Sequence, residues 1–117
     1  MAELMGGLLV VFGMTLSHAD LSGRWTLNLD PDFSGNPETL DCTLKQTDAT
    51  LTADCGGGTP ISGEVKEKNV TLRFKTGEDG RATATLTGLL DEGETTVTGK
   101  WHLDPDNRDG KFRLKKR

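Results

Sequence analysis

Leu21-Ser22-Gly23-Arg24-Trp25 and Val97-Thr98-Gly99-Lys100-Trp101 are one phrase written twice: apolar, hydroxyl, tiny, variable, apolar. Looser copies stand at Leu51-Thr52-Ala53-Asp54-Cys55, Ile61-Ser62-Gly63-Glu64-Val65 and Leu86-Thr87-Gly88-Leu89-Leu90. Side chains of an extended strand alternate between its two faces, so the first, third and fifth positions of the phrase share a face. Each copy therefore sends two apolar groups and one very small group inward and leaves Ser or Thr facing water.

Working outward from these copies, the same alternation predicts eight strands, near 21–29, 39–46, 50–55, 60–66, 69–76, 81–90, 94–103 and 111–116. The first turns Leu21, Gly23, Trp25, Leu27 and Leu29 inward; the second offers Leu40, Cys42, Leu44 and Gln46. Later strands contribute Val70, Leu72 and Phe74, then Ala82, Ala84, Leu86, Gly88 and Leu90, and finally Trp101, Leu103, Phe112 and Leu114. Prolines and glycines in 30–37, Gly56-Gly57-Gly58, Gly77-Glu78-Asp79-Gly80 and Asp91-Glu92-Gly93 mark the breaks. Short links favour antiparallel neighbours, and helical crossovers have no room. A flat sheet would leave its apolar face open, whereas closure into an up-and-down barrel buries that face and removes both edges. A Greek-key sandwich would need long cross-connections that this chain lacks. The expected fold is an all-β, eight-stranded antiparallel up-and-down barrel.

Composition sets the outer limits. The chain has 117 residues, enough for one domain and one modest core, and only 33% of them are hydrophobic. A sheet with one wet face tolerates that fraction, because half of each strand is polar. With 14 Lys+Arg against 18 Asp+Glu, net −4, bulk charge gives no reason to expect a nucleic-acid partner. No apolar run is long enough for a membrane-spanning helix. Residues 1–19 stand apart: Leu4 to Leu16 is apolar, and Ser17-His18-Ala19 has the small residues of a cleavage site. This is the shape of a secretory signal peptide, although its first residues carry Glu3 and no Lys or Arg. The expectation is an export signal over 1–19, a barrel domain over 20–117, and a secreted or periplasmic location.

Cys42 and Cys55 flank a hairpin symmetrically. Pairing Gln46 with Leu51 and Leu44 with Ala53 sets them opposite each other, within reach of a disulfide. An oxidising compartment favours that bridge over two buried thiols. No Cys-x-x-Cys is present, so neither metal nor redox work is implied.

Gly23-Arg24-Trp25 resembles the G-x-W opening of lipocalins, and Leu21 to Trp25 is similar to the first strand of avidins. Both are calycin-type barrels, and the resemblance implies a calycin-like barrel. The chain resembles more closely the short exported calycin-like barrels of bacteria that recur with Gly-Ser/Thr-Trp phrases and have no assigned activity. Lipocalins also place an Arg on the last strand over that Trp. Arg113 is the nearest candidate here, yet alternation with Phe112 and Leu114 points it outward. Avidins line a biotin pocket with inward polar groups, whereas Gln46 is the one clear inward polar group of this chain.

Two readings of the interior stay open. Small inward residues can leave an apolar cavity walled by Trp25, Leu27, Leu44, Phe74, Ala84, Leu86, Trp101 and Phe112, able to hold a small, mostly apolar ligand. Alternatively, glycines relieve crowding where strands coil and the aromatic rings fill the middle, which leaves a structural or protein-interaction barrel without a small ligand. Asp30, Asp32, Ser34, Asn36, Glu38 and Asp41 fit the oxygen spacing of a calcium loop, with Gly35 at its sixth position. Asp41 stands where such loops carry Glu, Pro37 takes the aliphatic position and strands flank the segment, so the same residues also read as an ordinary loop. The Lys111–Arg117 segment is basic and could touch acidic lipids, glycans or a protein partner. The plainer reading is an aggregation-resistant strand. Asn69-Val70-Thr71 is a glycosylation sequon in a host that uses one.

Catalysis has little to stand on. His102, the one histidine after residue 19, points to solvent beside Trp101, with no Ser or Cys placed to serve as its nucleophile. No motif implies a cofactor. An enzyme reading rests only on residues that loops could gather at a barrel mouth.

Overall fold

The computed structural model describes residues 20–33, 35–76 and 79–117. The expected export signal over 1–19 and Ser34 of the calcium-spaced segment lie outside them. Eight strands run in chain order: β1 (Gly23–Asp30), β2 (Glu38–Thr47), β3 (Thr50–Asp54), β4 (Ile61–Lys66), β5 (Asn69–Thr76), β6 (Ala82–Leu90), β7 (Thr96–Asp104) and β8 (Arg108–Lys116). Each pairs antiparallel with the next, and β8 returns to pair with β1, so the barrel closes in up-and-down order. Among the described residues there is no helix, and so none that could cross a membrane.

The alternation sets the register. Trp25, Leu27 and Leu29 are buried along β1 while Arg24 and Asp30 are exposed. β8 buries Phe112 and Leu114 and exposes Lys111, Arg113 and Lys115. The expected Gln46–Leu51 and Leu44–Ala53 pairs are both present, and Cys42 and Cys55 form a disulfide.

The two ends of the barrel differ. At one end, tight turns at Asp48-Ala49 and Glu67-Lys68 join their strands, with Asp48 and Glu67 in the left-handed region. The chain also enters and leaves there, and Trp25 seals it by donating its Nε1–H to the Leu21 carbonyl at 2.9 Å. Gln46 sits at this closed end rather than over a cavity. Its Oε1 accepts from the Leu21 amide (2.9 Å) and its Nε2 donates to the Asp48 carbonyl (2.8 Å). Every polar group of its side chain is thereby used by backbone. Longer connections, 31–37 and 55–60, gather at the other end, which we call the mouth.

In the middle of the barrel the glycines stand where the packing is close. A Cβ on Gly63 would lie 1.8 Å from the Thr71 carbonyl oxygen, and one on Gly99 would lie 2.0 Å from that of Thr87. Gly88, directly opposite Gly99, would collide with the Phe112 ring at 2.9 Å. These positions are small because backbone and rings already occupy the space, as dense interior packing requires. Trp25, Leu44, Ala84, Leu86, Trp101 and Phe112 are all buried there.

Candidate functional site

Chain between β1 and β2 folds back over the mouth because three groups hold it. Trp101, wholly buried, donates its Nε1–H to the Pro31 carbonyl at 2.8 Å. Arg108 at the start of β8 donates to the Phe33 carbonyl at 2.7 Å. The Phe33 ring itself stands edge-on to Trp101 at 4.9 Å between centroids and lies 5.7 Å from Phe74. A buried indole needs a partner for its N–H, and here that requirement ties a loop carbonyl to the barrel wall. Asp32 shapes the turn: its side chain accepts from the Asn36 amide (2.9 Å) and its carbonyl from the Gly35 amide (3.1 Å).

Beside this loop lies an open cavity of about 590 Å³. Leu27 and Leu29 of β1, Leu40 of β2, Ile61 of β4 and Phe74 of β5 form its floor and walls, with Phe33 on one flank. Cys55 and Gly56-Gly57-Gly58 complete the side where the disulfide anchors the β3–β4 connection. The three glycines all have positive φ, between 74° and 87°, which L-residues rarely adopt, so this wall needs glycine to follow its course. Glu38 and Lys75 supply charge at the rim. The Glu38 carboxyl is held above the ordinary glutamate range, first by loss of hydration and then by the Asp32 carboxyl beside it. A volume of this size suits a small molecule, and the lining suits one that is mainly apolar with a polar end at the rim.

Of the residues expected to surround a ligand, Leu27 and Phe74 line this cavity. Trp25, Leu44, Ala84, Leu86, Trp101 and Phe112 are buried and do not line it, although Trp101 packs against Phe33 and Ala84 pairs with Phe74. Leu29, Phe33, Leu40 and Ile61 join Leu27 and Phe74, which alternation alone does not indicate. Phe33 carried the available signal, a large aromatic between two prolines in a segment otherwise built of turn-forming residues.

Among the described residues the calcium-spaced set does not converge on one point, although Asp32 and Glu38 lie side by side. Asp41 projects from the outer face of β2, where it pairs with Arg117 at 3.1 Å. Asp32 serves the loop backbone, Glu38 faces the cavity, and among the described residues no cluster of His, Cys, Asp and Glu is arranged to hold a metal. Alternation along a strand explains this, since Asp41 and the inward Leu40 must take opposite faces.

His102 is on the outer surface, as alternation requires. Its Nδ1 meets an Asp109 oxygen at 2.7 Å and its Nε2 an Asp104 oxygen at 3.0 Å. Ionised carboxylates only accept, so both bonds are made together only by the imidazolium. The Asp109 bond, then the Asp104 bond, accordingly raises the His102 pKa. With both ring nitrogens engaged, neither is left to act as a base toward a substrate. Over Trp25 it is the Lys116 ammonium that lies 6.0 Å from the ring centroid, and Arg113 is exposed.

Comparison with protein-family models, with curated proteins and with solved structures found no match to this chain.

Proposed function

We propose that the protein is an exported barrel that carries or senses a small, mostly apolar molecule at its mouth. One observation supports this reading above the others: a mostly apolar cavity of about 590 Å³ opens beside an anchored loop, in a barrel closely packed around Gly63, Gly88 and Gly99. Aliphatic and aromatic walls would hold a hydrocarbon or ring system, while Glu38 and Lys75 would meet a polar end. The Cys42–Cys55 bridge is consistent with an oxidising compartment and ties down one wall of the site.

Titration with 1-N-phenylnaphthylamine and with medium-chain fatty acids, followed by probe fluorescence and displacement, tests the proposal. Saturable one-to-one binding is expected, and Leu40→Arg, which places a cation in the cavity while letting its head reach water, should abolish it. A protein indifferent to every apolar probe, or an arginine variant that binds as well as the parent, would return the barrel to a purely structural or protein-interaction role.

A further inference from the structure

The closed barrel changes the meaning of the basic last strand. Lysines on a sheet edge protect against strand addition, but β8 has no free edge, since β7 pairs with one side of it and β1 with the other. Lys111, Arg113 and Lys115 therefore need another reason to stand in a row on the outer face. Alternate residues of a strand are about 6.8 Å apart, so the three form an evenly spaced line of cations. Lys100 of β7 is the direct cross-strand neighbour of Lys111. Like charges so placed oppose each other and weaken the sheet. Arg24 extends the patch on β1, and none of these five cations takes part in an ion pair among the described residues. The nearby acids are mostly engaged elsewhere, Asp41 with Arg117 and both Asp104 and Asp109 with His102, while Asp30 stands opposite Lys111 at the mouth end. All this occurs on a chain of net charge −4.

What flanks the line narrows the partner. Thr98 and Asn28 stand on either side of Arg113, and Thr96 and Thr26 on either side of Lys115. A shallow groove of about 300 Å³ runs here, lined by Asn28, Asp30, Thr98, Lys111, Phe112 and Arg113. The one large hydrophobic exposed among the described residues is Leu89, which stands across from Thr98 at the border of this face. Phe112 is buried, so the face presents no exposed aromatic platform on which nucleic-acid bases stack, and a single leucine falls short of the broad apolar face that seats a protein in a bilayer. Cations at regular intervals, bordered by hydroxyl and amide groups, match a chain that presents anionic groups at regular intervals and hydroxyls between them. We infer that the β7–β8–β1 outer face binds a linear anionic glycan, bearing carboxylate or sulfate groups, along the Lys111–Arg113–Lys115 line. This surface is separate from the mouth cavity, and its occupancy does not depend on a ligand there.

Fluorescence anisotropy of a labelled heparin oligosaccharide, titrated with the purified chain at low salt, tests the assignment. Saturable binding is expected, falling steeply as salt rises from about 0.1 M to about 1 M and the Debye length shrinks from ~10 Å to ~3 Å. The Lys111→Gln/Arg113→Gln/Lys115→Gln variant should lose at least about tenfold in affinity, from exposed contacts of roughly two- to fivefold each. Lys45→Gln/Lys66→Gln/Lys68→Gln, which removes the same charge elsewhere, should lose less than about twofold on the same scale. All replaced side chains are exposed, and far-UV circular dichroism checks that both variants fold. Lys100→Gln alone supplies a milder version of the same test. Equal losses in the two triple variants would reduce the effect to bulk charge and overturn the inference. So would absence of binding, or tighter association with phosphatidylglycerol vesicles or with single-stranded DNA than with the glycan.

Discussion

Adding one methyl group at Gly110 should disturb both the core and the loop that covers the mouth. Gly110 lies directly across from Trp101, and an added Cβ would fall 2.3 Å from both Nε1 and Cε2 of the indole. Ordinary contact needs more than an ångström of extra separation. The indole cannot swing aside like a lysine tip, because it is wholly buried, edge-on to Phe33, and bonded through Nε1 to Pro31. Overpacking of this kind costs about 1–3 kcal/mol, and a weakened Nε1–H···O=C bond adds about 0.5–1.5 kcal/mol. Gly110→Ala should therefore lose roughly 2–4 kcal/mol, equivalent to a drop in Tm of roughly 10–30 °C for a domain of this size. Urea unfolding monitored by tryptophan fluorescence measures the first quantity and thermal circular dichroism the second. Gly93→Ala is the control: its nearest new contact would be Thr95 Oγ1 at 3.8 Å, and it should stay within about 0.5 kcal/mol of the parent. In the Trp101→Leu background most of the Gly110→Ala penalty should vanish, since the group it strikes is gone. A loss under about 0.5 kcal/mol, or an identical loss in both backgrounds, would refute the claim that Gly110 exists to seat this indole.

Three further outcomes follow from the geometry. Reducing the Cys42–Cys55 bridge, or replacing both cysteines with Ala, should lower stability by about 3 kcal/mol for a loop of this length; identical denaturation midpoints with and without reductant would contradict it. NMR titration of His102 should give a midpoint above the ordinary histidine value, and Asp109→Asn should bring it down. Because the folded-state pKa is the higher one, the stabilisation from this cluster is complete below the unfolded-state pKa and disappears as pH rises through the folded-state value. A stability that instead grew across that window would sink the assignment. Gln46→Ala should unlatch the entering chain at Leu21 and speed exchange of the Leu21 amide severalfold, with a stability loss of about 1–2 kcal/mol; unchanged exchange would show that the side chain does not hold that segment.

Period-two alternation by itself determined that this chain makes eight strands with Trp25, Leu86, Trp101 and Leu114 on one side, because a pleated backbone offers no other way to group those residues. Once the links are short, burying that side requires closure, and the symmetric spacing of Cys42 and Cys55 about a tight turn follows from the same register. Alternation says which side chains face inward but not how far apart facing strands lie. Only the tertiary structure decided that Gly63, Gly88 and Gly99 are crowded by neighbouring backbone and rings, and that an open cavity at the mouth is lined by Leu27 and Phe74. The place of Phe33 was likewise invisible, since a loop has no repeating geometry. Its position depends on a hydrogen bond from Trp101 and another from Arg108, both more than 65 residues away in the chain (separations of 70 and 75). The same closure joined β8 to β1 and left a row of cations on a face that has no edge to protect.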